Sequence, residues 1–175
     1  MKEFAIGVTI NGHLYERSVS PTLRLVDFIR HDVGLHGTKI SCGSQVCGVC
    51  TVLVDGEPVS SCAFLAIDVD GCEVTTIEGV ADGRELNEFQ QALLACGGVQ
   101  CGYCTPGFVM TMESIVRERG GHSMSKSDIQ HAFEGNICRC TGYRQILNAA
   151  SSCLERPGCA NSPASADDHE SRVDV

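Results

Sequence analysis

Cysteine is the residue type in this sequence whose number and spacing point most directly to chemistry. Twelve of the 175 residues are cysteine, and eight of them fall into two tight sets. The N-terminus shows neither the basic start nor the apolar core of a secretory signal, so we expect a cytoplasmic protein, in which disulfides are rare. The two sets therefore favour ligation of a metal or a metal cluster over a disulfide framework.

The first set of cysteines lies within residues 42–62. Its members are Cys42, Cys47, Cys50 and Cys62. The first three have the spacing C-x4-C-x2-C, at which plant-type [2Fe–2S] clusters are bound. Small residues such as Gly43, Ser44 and Gly48 lie between them, and they let backbone N–H groups approach the sulfurs. A structural zinc site, the alternative, usually has two paired cysteine knuckles, whereas Cys62 stands alone.

The second set of cysteines consists of two pairs separated by 33 residues. The pairs are Cys101 with Cys104 and Cys138 with Cys140. By themselves, two such pairs could also close around zinc. Thr105-Pro106 is typical of the N-cap and first residue of a helix, and Thr141 could cap another helix. Because a helix N-terminus carries partial positive charge, this setting favours an anionic thiolate cluster.

The other four cysteines are assigned no chemistry, and the overall composition excludes several functions. We interpret Cys72, Cys96 and Cys153 as structural, and Cys159 as an incidental thiol of the tail. The net charge of −9 makes nucleic acid an unexpected partner. No apolar run approaches the about 20 residues of a membrane span. No catalytic residue and no G-x-G-x-x-G nucleotide site is predicted in this chain.

The hydrophobic pattern predicts an α+β protein with two differently built halves. In the first half it predicts two hairpins, one helix and one further strand. The first hairpin pairs Phe4–Ile10 with His13–Val19 through a turn at Asn11-Gly12, and the second pairs Thr51–Val54 with 59–63 through a turn at Asp55-Gly56. The helix is predicted over 23–33 and the further strand over 74–77. In the second half it predicts four helices with short connections, over 86–95, 106–119, 125–135 and 142–155. Ser125 and Asp128 resemble a capping box.

Domain boundaries follow from the change in composition along the chain. We expect a first domain over residues 1–79, a linker over 80–85 and a second domain over 86–156. Residues 157–175 are rich in Pro, Ser, Ala and Asp, which is typical of a mobile acidic tail.

Four segments together resemble the xanthine oxidase family of molybdenum hydroxylases. They are residues 42–62, 74–79, 100–107 and 135–143, in the family's order. The resemblance covers about residues 3–155. It implies a plant-type ferredoxin-like β-grasp domain followed by a four-helix bundle. The chain would be the iron–sulfur small subunit of a heteromeric, bacterial-type oxidoreductase.

The resemblance also implies a role for each cysteine set. Carried over by position, the second set would ligate a [2Fe–2S] cluster close to molybdopterin, and the first set would ligate a [2Fe–2S] cluster facing FAD. Gln100 and Cys140 match the positions nearest the pterin, which the Gln100 amide would hydrogen-bond. The loop Gly43-Ser44-Gln45-Val46 departs from the acidic or glycine residues of many members.

The implied partners are a molybdopterin-binding large subunit and an FAD-binding medium subunit, assembled as a dimer of heterotrimers. Electrons would pass from molybdenum through the two clusters to FAD while the large subunit hydroxylates an N-heteroaromatic or aldehyde-type substrate. Two alternatives stay open at this point. One is a free-standing ferredoxin-like electron carrier, and the other is a zinc-stapled interaction protein without a redox role.

Overall fold

The computed structural model describes residues 2–81, 83, 85–119 and 123–154. The predicted tail over 157–175, Cys159 and part of the predicted linker lie outside the described residues. No helix among the described residues is long and apolar enough to cross a membrane.

The first half of the chain forms one mixed sheet. Its strands are β1 (Phe4–Ile10), β2 (His13–Val19), β3 (Thr51–Val54), β4 (Glu57–Ser60) and β5 (Glu73–Thr75). They are ordered β2-β1-β5-β3-β4 across the sheet. β1 and β5 run parallel, and the other neighbouring pairs are antiparallel.

Both predicted hairpins are present, and each has a two-residue turn. Asn11 and Gly12 have φ angles of 49° and 79°, and Asp55 and Gly56 have 50° and 90°, as a type I′ turn requires. The second turn places Glu57 opposite Val54, so β4 begins two residues before the predicted strand over 59–63 and ends three residues before its predicted end.

Two predicted elements of the first half are shorter than expected. The helix predicted over 23–33 is one α-helical turn, α1 (Leu25–Asp27), which continues into a π-helical turn over Phe28–Asp32. The strand predicted over 74–77 ends at Thr75, because the Thr76 N–H donates to the Asn11 side chain instead of a neighbouring strand. Leu25, Phe28 and Ile29 are fully buried against the sheet and form the first core.

The second half contains four described helices. They are α2 (Glu88–Ala95), α3 (Thr105–Arg119), α4 (Lys126–Ala132) and α5 (Arg144–Leu154). The predicted capping box of Ser125 and Asp128 is confirmed. α4 ends three residues before the predicted end at 135, because the chain leaves the helix at Phe133. α5 begins two residues after the predicted start at 142, because Tyr143 has a φ of 67° and lies outside the helical region.

A second core lies between these helices. Phe108 and Phe133 pack with ring centroids 5.3 Å apart, and Phe89 stacks on Phe133 at 6.1 Å. α3 packs against β3 and β4 of the sheet, so that the two cores lie on either side of the cysteine loops.

Candidate functional site

The β3–β4 hairpin brings the two ends of the first set together. Cys50 directly precedes β3, and Cys62 follows β4 by two residues. The Ser61 N–H donates to the Cys50 carbonyl at 3.3 Å, which continues the hairpin pairing beyond the strands. Cys50 and Cys62 are therefore neighbours, 2% and 3% exposed, and Val26 of α1 packs against both. The eleven-residue spacing before Cys62 is thus the length of a hairpin.

The loop before β3 is shaped around the sulfur of Cys42. The N–H groups of Ser44 and Val46 each donate to Cys42 Sγ at 3.4 Å. Gly43 and Gln45 have positive φ angles of 65° and 62°, which turn these N–H groups inward. The donated hydrogen bonds lower the pKa of Cys42 to about 5, with a further contribution from the Cys47 thiol.

The environment of Cys50 favours the neutral thiol, whereas that of Cys42 favours the thiolate. Burial raises the pKa of Cys50 to about 11; the backbone N–H of Cys62 opposes this effect and the Cys62 thiol adds to it. An ionised thiolate in this position therefore needs a bound cation to compensate its charge.

The second set lies on two loops that meet beside the start of α3. The Cys104 carbonyl accepts the Phe108 N–H at 3.3 Å, so α3 begins directly on Cys104. Thr105 is consequently the first residue of the helix, and the prediction that it is the N-cap is wrong. Cys140 Sγ lies 3.6 Å from Cys101 Sγ, and this hydrogen bond raises the pKa of Cys140.

Thr141 hydrogen-bonds Cys138 of the second set and does not cap α5. Its hydroxyl donates to Cys138 Sγ at 3.1 Å and accepts from the Tyr143 N–H at 3.2 Å. Because α5 begins only at Arg144, the predicted capping role of Thr141 is wrong. Burial opposes ionisation of Cys138, but the bonds from Thr141 and from backbone N–H groups outweigh it and lower the pKa of that thiol. Burial raises the pKa of Cys104, which hydrogen-bonds Cys138, to about 12.

The eight cysteines thus meet as four pairs. Hydrogen bonds between thiols define the pairs Cys42–Cys47, Cys50–Cys62, Cys101–Cys140 and Cys104–Cys138. Within the described ranges, no three His, Cys, Asp or Glu side chains converge on the position of one metal ion. A [2Fe–2S] cluster takes four thiolates, two on each iron, and the four pairs fit two such clusters.

Each set contains at least one cysteine that is exposed to solvent. Cys42 is exposed, whereas Cys47 is only 7% exposed. In the second set Cys101 and Cys140 are exposed, and Gln100 is exposed beside Cys101. The structure therefore brings the two residues predicted to lie nearest a pterin, Gln100 and Cys140, to the same edge of the second set.

The remaining cysteines agree with their structural interpretation where they are described. Cys72 lies in the turn before β5, Cys96 ends α2, and Cys153 is buried on α5. Asn136 was not predicted from the sequence; it is 4% exposed and hydrogen-bonds the first loop across 88 positions of sequence. No local pattern marks it, because its partners lie far along the chain.

Comparison with known proteins assigns the family. A protein-family model described as a 2Fe-2S iron-sulfur cluster binding domain matches residues 8–74, and one described as a [2Fe-2S] binding domain matches residues 76–151. The chain is 39% identical over 148 residues to the xanthine dehydrogenase iron-sulfur-binding subunit of Escherichia coli, covering 85% of this chain and 92% of that one. It is 38% identical over 161 residues to the nicotinate dehydrogenase small FeS subunit of Eubacterium barkeri, covering 92% and 100%. The chain belongs to the [2Fe–2S] small subunits of the xanthine oxidase family.

Solved structures agree with this membership. The quinoline 2-oxidoreductase of Pseudomonas putida 86 contains a chain with a TM-score of 0.82 and 40% identity, covering 87% of this chain and 93% of that one. The aldehyde oxidoreductase of Desulfovibrio gigas has a TM-score of 0.79 and 34% identity, covering 85% of this chain but only 16% of its own. Members of the family therefore carry this unit either as a separate small subunit or as part of a much longer chain.

Proposed function

We propose that this chain is the electron-relay subunit of a molybdenum hydroxylase. Electrons enter from a molybdopterin-binding large subunit and leave to an FAD-binding medium subunit. The observation that carries the proposal is the presence of two separate four-cysteine sets, each divided into two pairs, in one chain. When bound, the two [2Fe–2S] clusters accept and donate one electron at a time. A free-standing carrier is less favoured, because the matched small subunits belong to dehydrogenase complexes.

The ligand assignment follows the two sets. We assign the first cluster to Cys42, Cys47, Cys50 and Cys62, and the second to Cys101, Cys104, Cys138 and Cys140. The low pKa of Cys42 and the hydroxyl of Thr141 on Cys138 both favour the thiolate form that iron requires. The exposed edge formed by Gln100, Cys101 and Cys140 is the side on which the molybdopterin would lie, with the Gln100 amide in a position to hydrogen-bond it.

For the architecture, we propose a ferredoxin-like β-grasp domain over residues 1–79, a linker over 80–85 and a four-helix bundle over 86–156. The two separate cores and the two consecutive family matches support this division. We further propose a dimer of heterotrimers in the cytoplasm, where cysteines stay reduced and available to iron.

The substrate class is inferred from the relatives. The matched small subunits carry the names of dehydrogenases of caffeine, nicotinate and 6-hydroxypseudooxynicotine, and the solved structure that matches over 93% of its chain is a quinoline oxidoreductase. The matched aldehyde oxidoreductases share this unit over only 16% of their chains. An N-heteroaromatic substrate, hydroxylated on the large subunit, is therefore favoured over an aldehyde.

The first test is to count the clusters in the purified chain. We expect about four irons and about four sulfides per chain, no stoichiometric zinc, and two distinct electron paramagnetic resonance (EPR) signals after reduction with dithionite. A Cys62→Ser variant should lose only the signal of the first set, and a Cys138→Ser variant only that of the second. A Cys72→Ser variant serves as control, because Cys72 lies outside both sets. Zinc in place of iron, or a single signal in the unmodified chain, would contradict the relay.

A further inference from the structure

A single backbone hydrogen bond joins the two cysteine loops. The Ile137 N–H donates to the Cys47 carbonyl at 3.0 Å. Cys47 belongs to the first set, and Ile137 directly precedes Cys138 of the second set. This bond joins the loops beside a cysteine of each set, and the Tyr103 hydroxyl, which donates to the Ile40 carbonyl, joins them at a second place. These contacts hold the two sets at a defined separation.

The side chain of Asn136 holds this contact in place. Its Nδ2 donates to the Gly48 carbonyl at 3.3 Å, and its Oδ1 accepts from the Thr111 hydroxyl at 3.1 Å. Thr111 Oγ1 also lies 3.0 Å from the Gly107 carbonyl. Because Asn136 is only 4% exposed, water is poorly placed to replace either bond. One amide therefore connects the first loop, α3 and the loop of the second set.

Two glycines let the loops approach closely enough for that bond. A Cβ atom on Gly107 would lie 2.1 Å from the Gly48 carbonyl oxygen. A Cβ atom on Gly48 would lie 2.4 Å from the Gly135 carbonyl oxygen, and Gly48 also has a φ of 65°. No other residue type fits at either position without separating the loops. The backbones of the cysteine loops and of α3 are therefore in direct contact at this point.

We propose that Asn136 is a positioning residue that sets the separation of the two clusters and thereby the rate of electron transfer between them. The inference rests on the proposed function, since it requires both sets to be occupied. In this step one electron leaves the second set and arrives at the first, so that one site is oxidised and the other reduced by one electron. No bond forms or breaks, and Asn136 itself is neither oxidised nor reduced.

The test compares variants of the purified chain carrying both clusters. Asn136→Asp keeps the size and the acceptor for Thr111, and its carboxylate form has no donor for Gly48. Thr111→Val removes the bond that orients the amide and leaves Asn136 unchanged. Asn148→Asp, an exposed position on α5, is the matched control for the change of charge. Iron content is measured first, then the magnetic interaction between the two reduced clusters by EPR, and then the rate of electron exchange after flash reduction.

We expect Asn136→Asp to retain about four irons per chain. Its spin–spin splitting should weaken, because dipolar coupling falls with the cube of distance. Electron exchange should slow severalfold, because the rate of electron tunnelling falls exponentially with the distance between the two clusters. Thr111→Val should change both quantities in the same direction by less, and Asn148→Asp should change neither.

The outcomes separate this inference from the proposed function. Unchanged splitting and exchange in iron-replete Asn136→Asp would overturn the positioning role while leaving the ligand assignment intact. If Asn136→Asp loses a cluster, Thr111→Val is used for the test instead. A spin–spin splitting in Thr111→Val equal to that of the unmodified chain would then overturn the inference. An unmodified chain without two clusters would instead refute the proposed function.

Discussion

Burial and hydrogen bonding act in opposite directions on the thiol of Cys138. Burial favours the neutral form, whereas the hydroxyl of Thr141 and nearby N–H groups favour the anion and prevail. The same hydroxyl will act on a cluster bound there, because hydrogen bonds to sulfur stabilise the more negative, reduced state.

We therefore expect Thr141→Val to lower the reduction potential of the second cluster. Loss of a hydrogen bond of about 1 kcal/mol corresponds to about 40 mV for a one-electron couple. A redox titration followed by EPR measures both clusters in one sample. The potential of the first cluster should stay unchanged, and a Thr9→Val control on β1 should change neither. An equal shift of both potentials would show that the hydroxyl does not act locally.

At the scale of single residues, the spacing predicts two sets of four cysteines, of which the structure brings the members together in pairs, but it does not predict what surrounds them. The spacing of Cys42, Cys47 and Cys50 is local and has few structural solutions. The hydrogen bond from Thr141 to Cys138 could not be predicted, because a Thr-Gly pair also occurs at the start of helices. The positive φ of Tyr143, which places the start of α5 after it, is not visible in the sequence. Asn136 had no local signal, since Gly48 and Thr111 approach it only after both halves have folded.

Among the secondary structure elements, α2 depends strongly on its first residue. The Asn87 side chain accepts the Gln90 N–H at 2.8 Å, and Gln90 returns a bond to the Asn87 N–H at 2.9 Å. Asn87 Nδ2 also donates to Glu113 on α3 at 2.6 Å. This reciprocal cap begins an eight-residue helix that is too short to be stable alone.

Asn87→Ala should destabilise the second half by about 1 kcal/mol or somewhat more, because it removes both the cap and the contact with α3. Thermal unfolding followed at a helix signal measures the effect, and the visible spectrum of the clusters should not change at room temperature. Asn148→Ala is the control for loss of an exposed amide on a neighbouring helix. A midpoint equal to that of this control would mean that the cap contributes nothing.

The sequence predicted elements best where the signal is carried by adjacent residues. Asn11-Gly12 and Asp55-Gly56 specify both turns and hence the register of both hairpins. The helix over 23–33 was predicted too long, because apolar spacing does not distinguish an α-helix from the π-helical turn over Phe28–Asp32. The capping box of Asn87 and Gln90 was missed, although its residue types are visible in the sequence.

At the scale of the whole molecule, the two cores meet at the cysteine loops, so bound iron should stabilise the region between them. Metal binding to sites absent from the unfolded chain contributes directly to folding stability. The loops over 36–50 and 135–143 contain no strand or helix of their own, and hydrogen bonds within and between them hold them in place.

Removing iron anaerobically with a chelator should therefore loosen these loops first. We expect hydrogen exchange to accelerate most over 36–50 and 135–143 and least in β1 and β2, whose pairing is independent of the cysteines. Mass spectrometry of peptic fragments before and after iron removal checks this, with reconstituted protein as the control. Equal acceleration in β1 and β2 would indicate that the whole chain unfolds as one unit without iron.

The β3–β4 hairpin closes the first set within residues 42–62, whereas the second set spans residues 101–140. A ribosome therefore releases every cysteine of the first set before it releases any cysteine of the second. Domains generally fold as they emerge, N-terminal part first, and a short loop has a lower entropic cost of closure. The first half can accept its iron while the second half is still being translated, and the contact between Cys47 and Ile137 joins them last. We therefore expect the first site to be able to form before the second.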